Sequence, residues 1–200
     1  MSKKVSIGVL VSGGGTNLQA LIDAQNSGIL TSGEIKLVIS NNKDAFALKR
    51  AENAGIKTAV VDKNGEIPFE EQIVSLLEDN QIEIIVLAGF MCILSEKFVK
   101  KYDKKIINVH PSLIPSFCGK GFYGLRVHKA ALDYGVKVTG ATVHFVNEIP
   151  DGGEIIMQKS VEIQDSDTPE ILQKRVMEQA EWKILPLSVE KVCENLRKGE

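Results

Sequence analysis

The chain sorts its hydrophobic positions into two rhythms that alternate from residue 5 onward. "VSIGVLVS" (5–12), "EIKLVISN" (34–41), "IKTAVVD" (56–62), "IEIIVLAGF" (82–90) and "KIINVH" (105–110) are short, nearly continuous apolar runs. Runs of this kind predict strands covered on both faces. Between the first two, "TNLQALIDAQNSG" (16–28) places Leu18, Leu21, Ile22 and Ala24 at helical spacing and stops at Gly28. "DAFALKRAENAG" (44–55) predicts a second helix, with Asp44 as N-cap and Gly55 at its end. "FEEQIVSLLEDN" (69–80) and "SEKFVKKYD" (95–103) predict two more. Strands and helices in strict alternation make a parallel sheet with helices on both faces, joined by right-handed crossovers.

The rhythm changes after residue 120. "GLRVHKAALDYG" (124–135) predicts a helix. "VKVTGATVHFVNE" (136–148) and "GEIIMQKSVEI" (153–163) are alternating strands joined by the hairpin-like "IPDGG". A closing helix is expected over 168–196, with Thr168 as N-cap, Pro169 in the first helical position, and a break or kink at Pro186. The expected fold class is α/β: a doubly wound, mostly parallel, Rossmann-like sheet with an antiparallel C-terminal strand pair. No repeat or Pro/Gly-rich linker divides it, so one domain over 1–200 is expected.

Composition narrows the function classes. Apolar residues make up 44% of the 200, enough for a sizeable core. A net charge of -2 leaves no electrostatic footprint for nucleic acid or an anionic membrane surface. The apolar runs are too short to span a bilayer, and the opening Met-Ser-Lys-Lys leads into a strand without a signal-peptide pattern. Cys92, Cys118 and Cys193 are widely spaced, form no C-x-x-C pair, and suit a reducing cytoplasm.

Two strand ends carry candidate chemistry. "VSGGGTNL" (11–18) joins the first strand to the first helix. Its glycines let the backbone approach a ligand, and the helix amides beyond attract an anion. It lacks the third glycine of a dinucleotide loop, where Leu18 stands. The second strand ends in Ser40, Asn41 and Asn42 rather than the acidic residue such a loop requires. No Lys-Ser/Thr follows, so a triphosphate loop is excluded. A phosphate monoester remains, held by Gly13, Gly14 and Gly15 with Thr16 and Asn17 as side-chain donors; an unliganded tight turn is the alternative.

"IINVHPSLIPSF" (106–117) ends its strand on Asn108 and His110. Strand residues two apart share a face, so an amide and an imidazole point together at the sheet edge where ligands bind. They are two donors for a developing oxyanion. Asp151 in "PDGG" reads as an ordinary turn residue, His144 as a buried hydrogen-bonded histidine, His128 as a surface or packing residue, and "KKYDKK" (100–105) as a solvated face. No cluster has metal-ligand spacing.

Taken together, "SGGGTNLQALIDA", "NNKDAFALKRAENAGI", "VLAGFMCILS", "NVHPSLIPSF", "GATVHFVNEIPDGG" and "EWKILP" resemble the phosphoribosylglycinamide formyltransferases, a branch of the folate-dependent formyltransferases, over residues 5 to about 190. The resemblance implies formyl transfer from 10-formyltetrahydrofolate to the amine of 5'-phosphoribosylglycinamide in purine biosynthesis, with small-molecule substrates, no metal, and a monomer or homodimer. It implies Asn108, His110 and Asp151 as the catalytic trio and Gly13 through Asn17 as the phosphate site. Glu181 would meet the acceptor's amine end. Met91, Cys92, Ile93, Leu94, Asn108 and His144 would line the folate. Residues up to about 100 would form the phosphosugar-binding half and those beyond it the folate-binding and catalytic half. The chain departs from the pattern at Cys92, where many members have Arg, and before the third helix, where Lys63 is the nearby basic residue. The helix before Pro186 is one residue out of step with some members.

The implied chemistry needs little activation, because an α-amino-like group has a pKa of roughly 7.7–8.0. Asn108 and a protonated His110 would stabilise the tetrahedral oxyanion, with Asp151 raising the His110 pKa and ordering a proton-relaying water. A formyltetrahydrofolate hydrolase would share the trio but is expected to carry an N-terminal regulatory domain. A tRNA-directed formyltransferase is expected to carry a C-terminal domain and a basic face. A phosphosugar-binding module would need the loop and not the trio.

Overall fold

The computed structural model describes residues 3–199. Seven strands form one sheet in the order β3-β2-β1-β4-β5-β6-β7. The strands are β1 (Val5–Val11), β2 (Gly33–Ser40), β3 (Lys57–Val60), β4 (Ile84–Leu87), β5 (Ile106–His110), β6 (Val138–Phe145) and β7 (Ile155–Glu162). The first five run parallel, and β6 and β7 are antiparallel to their neighbours. The helices are α1 (Thr16–Ser27), α2 (Phe46–Asn53), α3 (Phe69–Asp79), α4 (Glu96–Lys101), α5 (Leu125–Tyr134), α6 (Pro169–Val176) and α7 (Trp182–Lys198).

Alternation along β1 shows why both faces must be covered. Val5, Ile7, Val9 and Val11 enter one core with residues of α1, α2, α6 and α7, while Leu10 enters the other with residues of α3 and α4. All four strand residues from Ile84 to Leu87 are buried in the same two-sided way. The edge strand β3 differs: its four residues are half-buried or exposed, because it has a neighbour on one side only.

Strand order reverses between β1 and β4, so their carboxyl ends diverge and open the crevice where doubly wound folds bind ligands. Ser12 lies at its centre. Its Oγ donates to Asn41 Oδ1 at 2.6 Å and accepts from Met91 N at 2.8 Å, tying the loops after β1, β2 and β4 together.

Two helix expectations differ from what the structure shows. Asp44 does not cap α2: Ala45 does, with extended backbone and no side-chain cap. The Asp44 amide instead closes a turn onto Asn42 Oδ1 at 3.0 Å. The closing helix is not broken at Pro186 but at a π-turn, Met177–Glu181, between α6 and α7. Its buried stripe explains this. Leu172, Val176, Ala180, Ile184, Ser188 and Val192 recur every four residues. An α-helix of 3.6 residues per turn lets such a stripe drift by about 40° each step. An i→i+5 turn holds one residue more and takes up part of the drift. Pro186 then sits inside α7. The carbonyl its ring would crowd belongs to Trp182, where ψ of -13 has already opened the turn. Thr168 and Pro169 do begin α6: the Thr168 hydroxyl accepts from Ile171 N at 3.3 Å.

Candidate active site

The loop after β1 is shaped by glycine and tied down from behind. Gly15 has φ 71, and a Cβ there would lie 2.6 Å from the Ala47 Cβ. The Gly13 carbonyl accepts from Ala47 N at 3.0 Å, and the Gly14 carbonyl accepts from Arg50 Nε at 2.8 Å. The carbonyls are thus engaged with α2, while α1 opens without a side-chain cap or an acidic residue in its first turn. Its first amides have no intrahelical acceptor, and the helix dipole adds positive potential there. No side chain meets a Cβ at Gly13 or Gly14 within 4 Å, so the loop faces open space.

Asn17 has a second connection. Its Nδ2 donates to Glu181 Oε2 at 2.8 Å, joining the loop to the end of the π-turn. Glu181 is 6% exposed. Burial pushes its carboxyl up, and the Asn17 hydrogen bond opposes that.

Asn108, His110 and Asp151 come together although Asp151 lies on a separate turn. Asp151 has φ 57, a left-handed conformation that aims its carboxylate inward. Its Oδ2 accepts from Gly119 N at 2.8 Å and lies 3.5 Å from His110 Nδ1. Its Oδ1 lies 3.7 Å from His144 Nε2. His144 is buried and hydrogen-bonded, in keeping with its place in an alternating strand. Its Nδ1 donates to the Phe145 carbonyl at 2.8 Å, which leaves Nε2 to accept from Asn108 Nδ2 at 3.2 Å. The second Asn108 amide hydrogen remains for a ligand.

The His110 charge state departs from expectation. Burial lowers its pKa below the ordinary value and the neighbouring His144 adds to that, whereas Asp151 and the Phe117 carbonyl raise it without prevailing. His110 is therefore predominantly neutral at neutral pH. Its Nε2 lies 2.9 Å from the Phe117 carbonyl, which fixes the proton on that nitrogen and leaves the Nδ1 lone pair toward Asp151. Burial would raise the Asp151 carboxyl, but both histidines and the Gly119 amide hold it below its ordinary value.

The remaining expected positions fall nearby or elsewhere. Met91 and Ile93 are 59% and 88% exposed, an apolar rim on the crevice beside Ser12. Phe90 stacks on Phe69, whose ring carries the Lys63 ammonium 5.7 Å away. Of the two readings for His128, packing holds: it is fully buried on α5, and burial, with His110 nearby disfavouring a second positive charge, lowers its pKa to about 4. A cavity of about 670 Å³ runs between α1 and α7 past Ala24, Trp182 and Pro186 and contains none of the trio. Phe117 and Gly119, which hold His110 and Asp151 through backbone groups, are not legible in the sequence; the only hint is the glycine-bearing stretch after "SLIPSF".

Comparison with known proteins places these features in context. A sequence profile described as formyl transferase matches residues 5–189. Phosphoribosylglycinamide formyltransferase of Haemophilus influenzae is 42% identical over 186 residues, covering 92% of this chain and 84% of that protein. The trifunctional purine biosynthetic protein adenosine-3 of Gallus gallus is 45% identical over 96% of this chain, which spans 19% of that protein's length. The crystal structure of phosphoribosylglycinamide formyltransferase from Anaplasma phagocytophilum superposes with a TM-score of 0.86 at 40% identity, covering 96% of this chain and 89% of that one.

Proposed function

Because the chain belongs to the formyl transferase family, we propose that it transfers the formyl group of 10-formyltetrahydrofolate to the amine of 5'-phosphoribosylglycinamide. The products are formylglycinamide ribonucleotide and tetrahydrofolate. What supports this reading is that an uncapped helix N-terminus, the Asn17–Glu181 pair and the Asn108–His110–Asp151 group all lie along the carboxyl edge of one parallel sheet. Hydrolysis takes water as its acceptor and would need neither a phosphate site nor a carboxylate at an acceptor amine.

In this reading Gly13 to Asn17 bind the acceptor's phosphate and Glu181 faces its amine end. Met91 to Leu94, with His144 behind Asn108, hold the pterin. Lys63 offers a cation at the same wall for the folate's glutamate carboxylates. As the amine adds to the formyl carbon, Asn108 donates its free amide hydrogen to the oxyanion. Such a donor, pre-positioned in a water-poor site, is worth about 2.7–4 kcal/mol. Neutral His110 takes the proton released by the attacking nitrogen at Nδ1, and the Asp151 carboxylate stabilises the resulting imidazolium. The proton then passes to the leaving folate nitrogen as its bond to the formyl carbon breaks.

The absorbance change of a 10-formyl folate analogue tests this, with the ribonucleotide present and with water alone. Formyl loss matched by formylated ribonucleotide is expected. Equal loss in water, yielding formate, would assign the chain to hydrolysis instead.

A further inference from the structure

His110, Thr142 and Gln158 are consecutive register partners across β5, β6 and β7. Side chains of register partners share a sheet face, so the three form one row. Thr142 is fully buried. Its Oγ1 donates to the Ser112 carbonyl at 2.7 Å and accepts from Ile114 N at 3.1 Å and from Gln158 Nε2 at 3.0 Å. A hydroxyl has one hydrogen and two lone pairs, so every bond it can make is made. Gln158 Nε2 gives its other hydrogen to the Ile114 carbonyl at 3.0 Å. Ser112, also fully buried, sends its own Oγ to the Ser116 carbonyl at 2.6 Å. These bonds clamp residues 112–116, the turn that leaves His110 and returns to it. The next residue, Phe117, has φ 49 and presents its carbonyl to His110 Nε2 at 2.9 Å. A phenylalanine is held in that conformation only where its surroundings dictate it.

We infer that Thr142 and Gln158 are positioning residues for catalysis: by clamping residues 112–116 they aim the Phe117 carbonyl, which fixes the proton of His110 on Nε2 and turns Nδ1 to Asp151. Neither touches the reacting atoms. The inference deepens the proposed formyl transfer and rests on it for its kinetic consequence, though its structural part stands alone.

The test compares Thr142→Val, which keeps the shape and removes the hydroxyl, with Thr142→Ser, which keeps the hydroxyl, and with Gln158→Leu at the exposed end. Misplacement remote from the chemistry can cost about a hundredfold. Thr142→Val should lower kcat by roughly tenfold to a hundredfold, with little change in either KM. It should also move the acid limb of the pH–rate profile. Thr142→Ser should recover most of the rate, and Gln158→Leu should lose less than Thr142→Val. Nitrogen-15 NMR of the His110 ring in the ligand-free protein provides a readout independent of activity. The Nε2-protonated tautomer should dominate in the wild type and give way to a mixture in Thr142→Val. An unchanged tautomer and pH profile in folded Thr142→Val would overturn the inference, as would an equal kcat loss in Thr142→Ser. If the wild type transferred no formyl group while the tautomer still changed, the proposed reaction would fail and the clamp would stand.

Discussion

The glycine loop, proposed to bind phosphate, and the Asn108–His110–Asp151 group, proposed to be catalytic, are built in opposite ways. The loop is a local object: one strand-to-helix turn, with Gly15 at φ 71 and its carbonyls tied to α2, presents the helix amides. The proposed catalytic group is assembled at a distance. Asn108 and His110 come from β5, His144 from β6 and Asp151 from a separate turn, while Phe117 and Gly119 hold two of them through backbone groups. The contrast has a physical basis. Anion binding needs only aligned amides, which a short loop provides. Proton transfer needs titratable groups held within tenths of an ångström, with their charge states set by burial and by one another. Substitutions in the loop should therefore act on binding, and substitutions in the group on rate and pH dependence.

The largest effect expected is at Asp151. Asp151→Asn keeps the shape and removes the charge. The Asp151 charge raises the His110 pKa against the larger effect of burial, so its loss should lower that pKa further. The acid limb governed by His110 should move to lower pH, and the maximal rate should fall about 10²–10⁴-fold because the imidazolium formed during transfer is no longer stabilised. A pH–rate profile, with circular dichroism to confirm folding, checks both. An unchanged profile in a folded variant would reduce Asp151 to a turn residue.

A smaller, different effect is expected in the loop. A Cβ added at Gly14 would meet no atom within 4 Å, and its φ is not left-handed, so Gly14→Val should fold normally. Its side chain would occupy the space assigned to the phosphate. Losing charge-assisted bonds of about 1.5–3 kcal/mol corresponds to roughly a tenfold to hundredfold rise in the ribonucleotide KM. The folate KM should be nearly unchanged. Equal rises in both constants would contradict the division of labour.

What the sequence makes legible follows the same division. Strand and helix order, the antiparallel closing pair and the Thr168 cap depend on neighbouring residues, and all are present. So is the pairing of Asn108 and His110 on one strand end. The misses have two sources, a competing partner close by and surroundings that the local pattern does not show. Asp44 resembles a cap, but Asn42 captures its amide. Pro186 resembles a break, but it lies inside α7 and the interruption falls at the π-turn before it. Asp151 alone would make His110 a cation, but burial, invisible in the local sequence, is the larger influence. The Asn17–Glu181 hydrogen bond spans 164 residues and is likewise invisible in the local sequence.

The central claim is that these two regions form one continuous site. Titration calorimetry with a compound covalently joining glycinamide ribonucleotide to a folate analogue tests it most directly. If the loop and the catalytic group share one crevice, the linked compound should bind on the order of 10²-fold or more tighter than either half, because the second half binds without a second association cost. An affinity no better than that of the tighter half would mean that the two regions are separate sites, and would contradict the account.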